Sequence, residues 1–153
     1  MGRVESASMK HVYVLNGPNL NRLGTREPDI YGTLTMGQIA DACVALAGEL
    51  GLSCTVLQTN DEAELIGWLH RAQDEGAAVV INPAAFTHYS YALRDACAIV
   101  TGPIIEVHLS NPAAREEFRH TSVVAGVVTG SIAGLGLESY LLGVRAVAAR
   151  FAG

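Results

Sequence analysis

The sequence predicts a doubly wound α/β domain built on a parallel sheet, and three observations carry that expectation. Five short apolar runs read as strands, each is followed by a helical pattern, and the most unusual polar residues stand directly after strands. Strands that alternate with helices need crossover connections, which lay the strands parallel and cover both faces of the sheet. In such sheets a ligand binds beyond the carboxyl ends of the strands, where the strand order reverses. Function is therefore sought at the strand ends.

The first strand spans His11 to Asn16. A helix from about Thr35 to Leu50 follows, with Ile39, Cys43, Leu46 and Leu50 at helical spacing and Gly51 as its stop. After a second strand, Cys54 to Gln58, the pair Asp61 and Glu64 marks a helix start. That helix turns Leu65, Trp68 and Leu69 inward and ends at Gly76. The third strand is Ala77 to Asn82, and its helix begins near Thr87 and runs through Leu93 to Cys97. The fourth is Pro103 to Leu109, followed by a shorter helix opening at Asn111 with Pro112 in its first turn. A fifth strand lies near Val127 to Ala133, and a final helix, Leu137 to Phe151, carries Tyr140, Leu141, Val144 and Ala148 on one stripe. The glycine-rich stretch from Gly130 to Gly136 reads as close packing of this last strand on a helix.

At 153 residues and 50% hydrophobic, the chain fits one domain, placed at residues 10–153, with residues 1–9 read as a frayed leader lacking the apolar run of a signal peptide. A net charge of -5 and scattered arginines argue against a nucleic-acid surface, so an anionic partner is small and met locally. No stretch approaches the ~18 apolar residues of a membrane span. Cys43, Cys54 and Cys97 are odd in number and lack metal or redox spacing, which suits core thiols in the reducing cytoplasm. The histidines show no metal spacing, and Asn16-Gly-Pro-Asn19 is neither a P-loop nor a dinucleotide turn, so no metal or cofactor is expected. Lys10, the only lysine, stands at the start of the first strand, away from the strand ends, which argues against imine chemistry.

The connection from Asn16 to Tyr31 is too long and polar for simple wiring. Gly17, Pro18, Gly24 and Pro28 break it into turns while Leu20, Leu23 and Ile30 give it something to bury, so an ordered lid carrying Arg22, Arg26 and Tyr31 is expected. Tyr31 is the lid's candidate acid or base, with Arg26 close enough in sequence to favour its phenolate; a loop anchor beside a solvated arginine is the plainer alternative. On the fourth strand Glu106 and His108 share a face, so the carboxylate can fix the imidazole for proton transfer, although a satisfied core histidine also fits. The backbone of Leu109 and Ser110 precedes the helix start at Asn111, where N–H groups suit a carboxylate or phosphate, or serve ordinary capping. Arg115 and Arg119, four apart, project from one face of that helix unless Glu116 or Glu117 pairs with them. His88 and Asp95, seven apart on the third helix, share a face about two turns apart, so one of them can serve a neighbouring subunit.

With these segments in place, the chain resembles the type II 3-dehydroquinate dehydratases from about Lys10 to Arg150. The matching motifs are Leu15-Asn-Gly-Pro-Asn-Leu-Asn-Arg-Leu-Gly24, Arg26-Glu-Pro with Tyr31-Gly32, Asn82-Pro with Thr87-His88, Leu93-Arg-Asp-Ala96, Ile105-Glu-Val-His-Leu-Ser-Asn111 and Arg115-Glu-Glu-Phe-Arg119. The resemblance implies a flavodoxin-like fold with a five-stranded parallel sheet. It also implies cofactor-free dehydration of 3-dehydroquinate to 3-dehydroshikimate by anti elimination through an enolate. Tyr31 matches the base that takes the C2 proton, Arg26 the residue that keeps it anionic, and His108 the acid that protonates the departing hydroxyl, oriented by Glu106. Asn19 matches a residue holding a water near the enolate oxygen. Asn82 with the backbone of Leu109 and Ser110 matches the carboxylate pocket, His88 and Arg119 the groups on the ring hydroxyls, and Asp95 a residue lent by an adjacent subunit. Family members assemble as dodecamers of four trimers. The chain departs from the pattern at Ala84-Ala85, where many relatives carry glycine, and at Tyr89, Val123 and Ser139. A flavodoxin-like binding module and a non-catalytic oligomeric scaffold are the competing readings.

Overall fold

Alternation along the first strand sets the architecture of the computed structural model, which describes residues 9–25, 29 and 32–152. In β1 (His11–Asn16), Val12 and Val14 enter one core cluster while Tyr13 and Leu15 enter another, because successive side chains of a strand leave on opposite faces. The other strands are β2 (Ser53–Gln58), β3 (Ala78–Asn82), β4 (Ile104–His108) and β5 (Gly130–Ala133). They pair in the order β2-β1-β3-β4-β5, every pair parallel, which is the flavodoxin-like order with its reversal between β1 and β3.

Four α-helices cover the sheet among the described residues: α1 (Met36–Glu49), α2 (Glu62–Glu75), α3 (Tyr91–Ile99) and α4 (Leu137–Ala152). Ile39 and Cys43 of α1 pack with Tyr140 and Val144 of α4 over Val12 and Val14, whereas Leu65 and Leu69 of α2 pack with Leu93 and Cys97 of α3 over Tyr13 and Leu15. Helix starts follow cap chemistry. Thr35 and Gln38 form a reciprocal capping box at α1, and Asp61 accepts the Ala63 N–H at α2. Gly76 closes α2 in the left-handed conformation.

Burial pushes the thiols of Cys43 and Cys97 up to about 12 and that of Cys54 to about 11, so all three stay neutral. Among the described residues no helix is long and apolar enough to cross a membrane.

Three expectations need correction. The third helix begins at Tyr91, not Thr87, because the Ser90 side chain accepts the Leu93 N–H and donates to Glu62 Oε2 at 2.7 Å, which makes it the cap. Thr87 and His88 lie in a preceding 3-10 turn (Ala84–His88), so His88 and Asp95 do not share a helix face. The segment after Asn111 is a single 3-10 turn, Pro112–Ala114, broken where Arg115 turns extended and followed by a separate turn at Glu117–Arg119. Arg115 and Arg119 therefore sit on different turns. In the glycine-rich stretch, a Cβ on Gly130 would meet nothing within 4 Å, while Gly134 and Gly136 take φ of +89° and +61°. Their role is turn geometry at the exit of β5 rather than close strand-on-helix packing.

Among the described residues that carry a Cβ, two take a left-handed φ, Asn19 at +69° and Ala84 at +53°, and alanine is the less suited to it. Ala84 is the strained one. It is held there by the Asn82 side chain, whose Oδ1 accepts the Ala84 N–H at 3.1 Å. Relief of the left-handed strain exceeds the extra unfolded-state entropy of glycine, so Ala84→Gly is expected to raise stability by roughly 0.5–1 kcal/mol. The urea midpoint at unchanged m-value measures this, and a lower midpoint would show that the alanine is not strained.

Candidate active site

The first polar groups beyond the sheet meet at the reversal between β1 and β3. Gly17 donates its N–H to the Asn82 carbonyl at 2.9 Å, and a Cβ at Gly17 would come within 2.5 Å of the Pro83 carbonyl oxygen. Only glycine allows the two strand exits to press together this closely. From there Asn19 turns with φ of +69°, its N–H bound by Asn60 Oδ1 at 2.9 Å, while Gln58 Nε2 donates to the Gly17 carbonyl at 3.1 Å. Leu20 and Leu23 anchor the loop in the core as expected. Arg26 and Tyr31 lie outside the described residues.

The wall opposite is β4. Glu106 and His108 do share a face, and His108 Nε2 donates to Glu106 Oε2 at 2.5 Å. Glu106 is only 2% exposed, and its other oxygen accepts the Ser122 hydroxyl at 2.9 Å. Ser122 Oγ in turn accepts the N–H groups of Val124 and Ala125 at 3.3 and 3.0 Å. The serine has thus spent its acceptor capacity on backbone and must act as a donor to Glu106. One residue earlier, the Thr121 carbonyl accepts from His88 Nδ1 at 2.9 Å, so that in the neutral tautomer Nε2 is the acceptor. The short run Thr121-Ser122 therefore sets the orientation of both histidines.

Past His108 the chain is pinned to the turn after β5, since His108 and Leu109 carbonyls accept from Gly134 and Gly136 at 3.2 and 3.0 Å. Arg119 lies over the Phe118 ring, 4.6 Å from its centroid, and donates from Nε to Glu116 Oε2 at 2.7 Å. That hydrogen bond, more than any other cause, holds the Glu116 carboxyl below its usual range.

These elements enclose a cleft of about 600 Å³, including its open mouth. Asn19, Asn82, His88, His108, Leu109, Ser110 and Arg119 all line it. Glu106 stands behind His108 and lines an adjoining recess. Asp95 is exposed on α3 and is not part of this cleft. Sequence reasoning missed Ser122, Asn60 and the buried pair Asn16 and Tyr140. Asn16 alone left a local signal, as a polar residue ending an apolar strand.

The Dehydroquinase class II family matches residues 10–148. A Salinispora tropica protein named 3-dehydroquinate dehydratase is 58% identical over 139 residues, covering 91% of this chain and 97% of that one. A Bacillus licheniformis protein of the same name is 54% identical, covering 89% and 94%. Among solved structures, the type II dehydroquinase from Propionibacterium acnes superposes with a TM-score of 0.89 at 54% identity, covering 92% of this chain and 97% of that one. A parallel sheet reversing at β1 and β3, a glutamate-backed histidine at the end of β4 and agreement over nearly the whole length lead to one conclusion: the chain belongs to the class II dehydroquinase family.

Proposed function

We propose that this chain is a 3-dehydroquinate dehydratase, a hydro-lyase that converts 3-dehydroquinate to 3-dehydroshikimate and water by anti elimination. The observation that carries the reading is the His108–Glu106–Ser122 chain facing a cleft at the β1/β3 reversal, in a protein 58% identical to a named 3-dehydroquinate dehydratase. Tyr31, as phenolate beside Arg26, takes the C2 proton, and the electron pair moves into the ring ketone to give an enolate. Asn19 holds a water against that oxygen. The enolate then collapses, the C1–O bond breaks, and His108 gives its proton to the departing hydroxide, so that water leaves. Glu106 fixes the orientation of the imidazole through its hydrogen bond to Nε2.

Substrate binding is assigned to groups of matching polarity. Asn82 with the Leu109 and Ser110 backbone takes the carboxylate, and His88 and Arg119 take ring hydroxyls. Asp95, being outside its own cleft, acts in a neighbouring subunit of a dodecamer of trimers. The reaction serves the shikimate pathway or quinate catabolism, in the cytoplasm, without metal or cofactor. Appearance of enone absorbance on adding 3-dehydroquinate is the test. No absorbance change with folded, oligomeric protein would return the chain to a binding or scaffold role.

A second experiment separates this chemistry from an imine route. Lys10 precedes β1 at the end of the parallel sheet away from the cleft, with Nζ 5.6 Å from the centroid of the Phe151 ring. Lys10→Arg is expected to keep turnover within about twofold, as for surface changes remote from a site. Borohydride added with substrate is expected to leave activity intact and add no substrate-sized mass. A stoichiometric adduct on Lys10 would overturn the enolate route.

A further inference from the structure

Three buried polar side chains join β1, α4 and β3 behind the cleft. Asn16, Tyr140 and Asn82 are 0%, 0% and 4% exposed. The Tyr140 hydroxyl donates to Asn16 Oδ1 at 2.7 Å and accepts from Asn82 Nδ2 at 2.9 Å. Asn16 cannot turn over, because its Nδ2 donates to the carbonyls of Leu57 and Val14 at 3.1 and 3.4 Å. Its oxygen must therefore face Tyr140, the phenol must donate toward Asn16, and Asn82 is left to supply the N–H that the phenol oxygen accepts. At the far end Asn82 Oδ1 is independently occupied by the Ala84 N–H. Burial holds the Tyr140 phenol above its usual range, so it stays a neutral donor throughout the working pH span. Direction runs one way, from the β2 backbone through Asn16 and Tyr140 to Asn82.

We infer that Tyr140 is a positioning residue for substrate recognition: with Asn16 it locks the Asn82 amide so that its remaining N–H is presented to the cleft, which selects an anionic group there. The Ala84 N–H on Oδ1 keeps the amide from turning over, but without the phenol oxygen on Nδ2 the amide is held at one end only and its remaining N–H swings away from the anion it is to meet. The lock removes that swing before binding. The inference rests on the proposed carboxylate-binding role of Asn82. Because the carboxylate does not react, holding it contributes equally in ground and transition states, so its loss appears in KM and not in kcat.

Tyr140→Phe keeps the ring in the core and removes only the hydroxyl; Asn16→Leu keeps Tyr140 whole but removes its acceptor, so each variant tests the lock separately. Both are expected to raise KM for 3-dehydroquinate about tenfold while kcat stays within about threefold, the pattern of lost uniform binding. A purely structural role predicts a lower melting temperature with KM unchanged. Asn82→Ala is the reference. If it raises KM while either folded variant of the lock leaves KM unchanged, the positioning role is overturned and the carboxylate assignment stands. If Asn82→Ala itself leaves KM unchanged, the assignment fails and the inference with it.

Discussion

Tyr31→Phe is expected to lower kcat by at least the ~10²–10⁴ typical of a lost general base, with fold and assembly intact. Phenylalanine keeps the ring but has no oxygen to take the C2 proton. At an unperturbed pKa of about 10, roughly one tyrosine in a thousand is phenolate at neutral pH, so a tyrosine acting as base needs a cation beside it, the part proposed for Arg26. Arg26→Gln is accordingly expected to move the rising limb of the pH–rate profile upward as well as slow the reaction. A Tyr31→Phe enzyme retaining more than about a tenth of wild-type turnover would sink the assignment. The same variant tests the subunit arrangement. Mixed with Asp95→Asn subunits under conditions of verified exchange, it is expected to restore some active sites, because each parent supplies what the other lacks. Hybrids no better than either parent would confine Asp95 to its own chain.

The inner strands β1, β3 and β4 were legible because burial on both faces leaves little freedom in composition. Ala78-Val-Val-Ile81 has no exposed position to fill with a polar residue, and its run ends where Asn82 leaves the sheet. Helix boundaries read well where a cap chemistry was unambiguous, as at Asp61 and Gly76. They failed where two candidates competed. Thr87 and Ser90 are both cap residues, and what decides between them is tertiary: Ser90 also reaches Glu62 on α2, and the Thr87 carbonyl accepts the Val123 N–H at 2.8 Å. The Asn111 segment misled for a similar reason. Proline at the first turn favours a start but says nothing about how far the turn continues, and Arg115 ends it by turning extended.

The site divides along the same line. Residues that follow strands were found because parallel topology carries every strand end to one rim. Their supports were not, since they act across the fold: Ser122 on Glu106 over 16 positions, Asn60 on Asn19 over 41, and Tyr140 on Asn82 over 58. Tyr140 was even recognised as a core position on its helical stripe. Its ring satisfies that description, and nothing in the local pattern separates a buried phenylalanine environment from one holding two asparagines at its far end.

Glu106→Gln is the other large effect, and its direction follows from Ser122. In the native chain both oxygens of Glu106 accept, one from His108 Nε2 and the other from a serine whose own acceptor capacity is spent on two backbone N–H groups. A glutamine has one oxygen and one NH₂. Placing the NH₂ toward Ser122 sets donor against donor, so the amide turns its oxygen there and its NH₂ to His108. The imidazole must then accept at Nε2 and hold its single proton on Nδ1. In the proposed elimination His108 would then have to give up its only ring proton and leave an imidazolate. A loss of ~10²–10⁴ in kcat is expected, with KM little changed, because the proposed carboxylate pocket is built from Asn82, Leu109 and Ser110. Combining the change with Ser122→Ala frees the amide to turn its oxygen back to His108, and is expected to recover part of the lost rate. A double variant slower than Glu106→Gln alone would show that Ser122 supports Glu106 by packing and not by dictating its polarity.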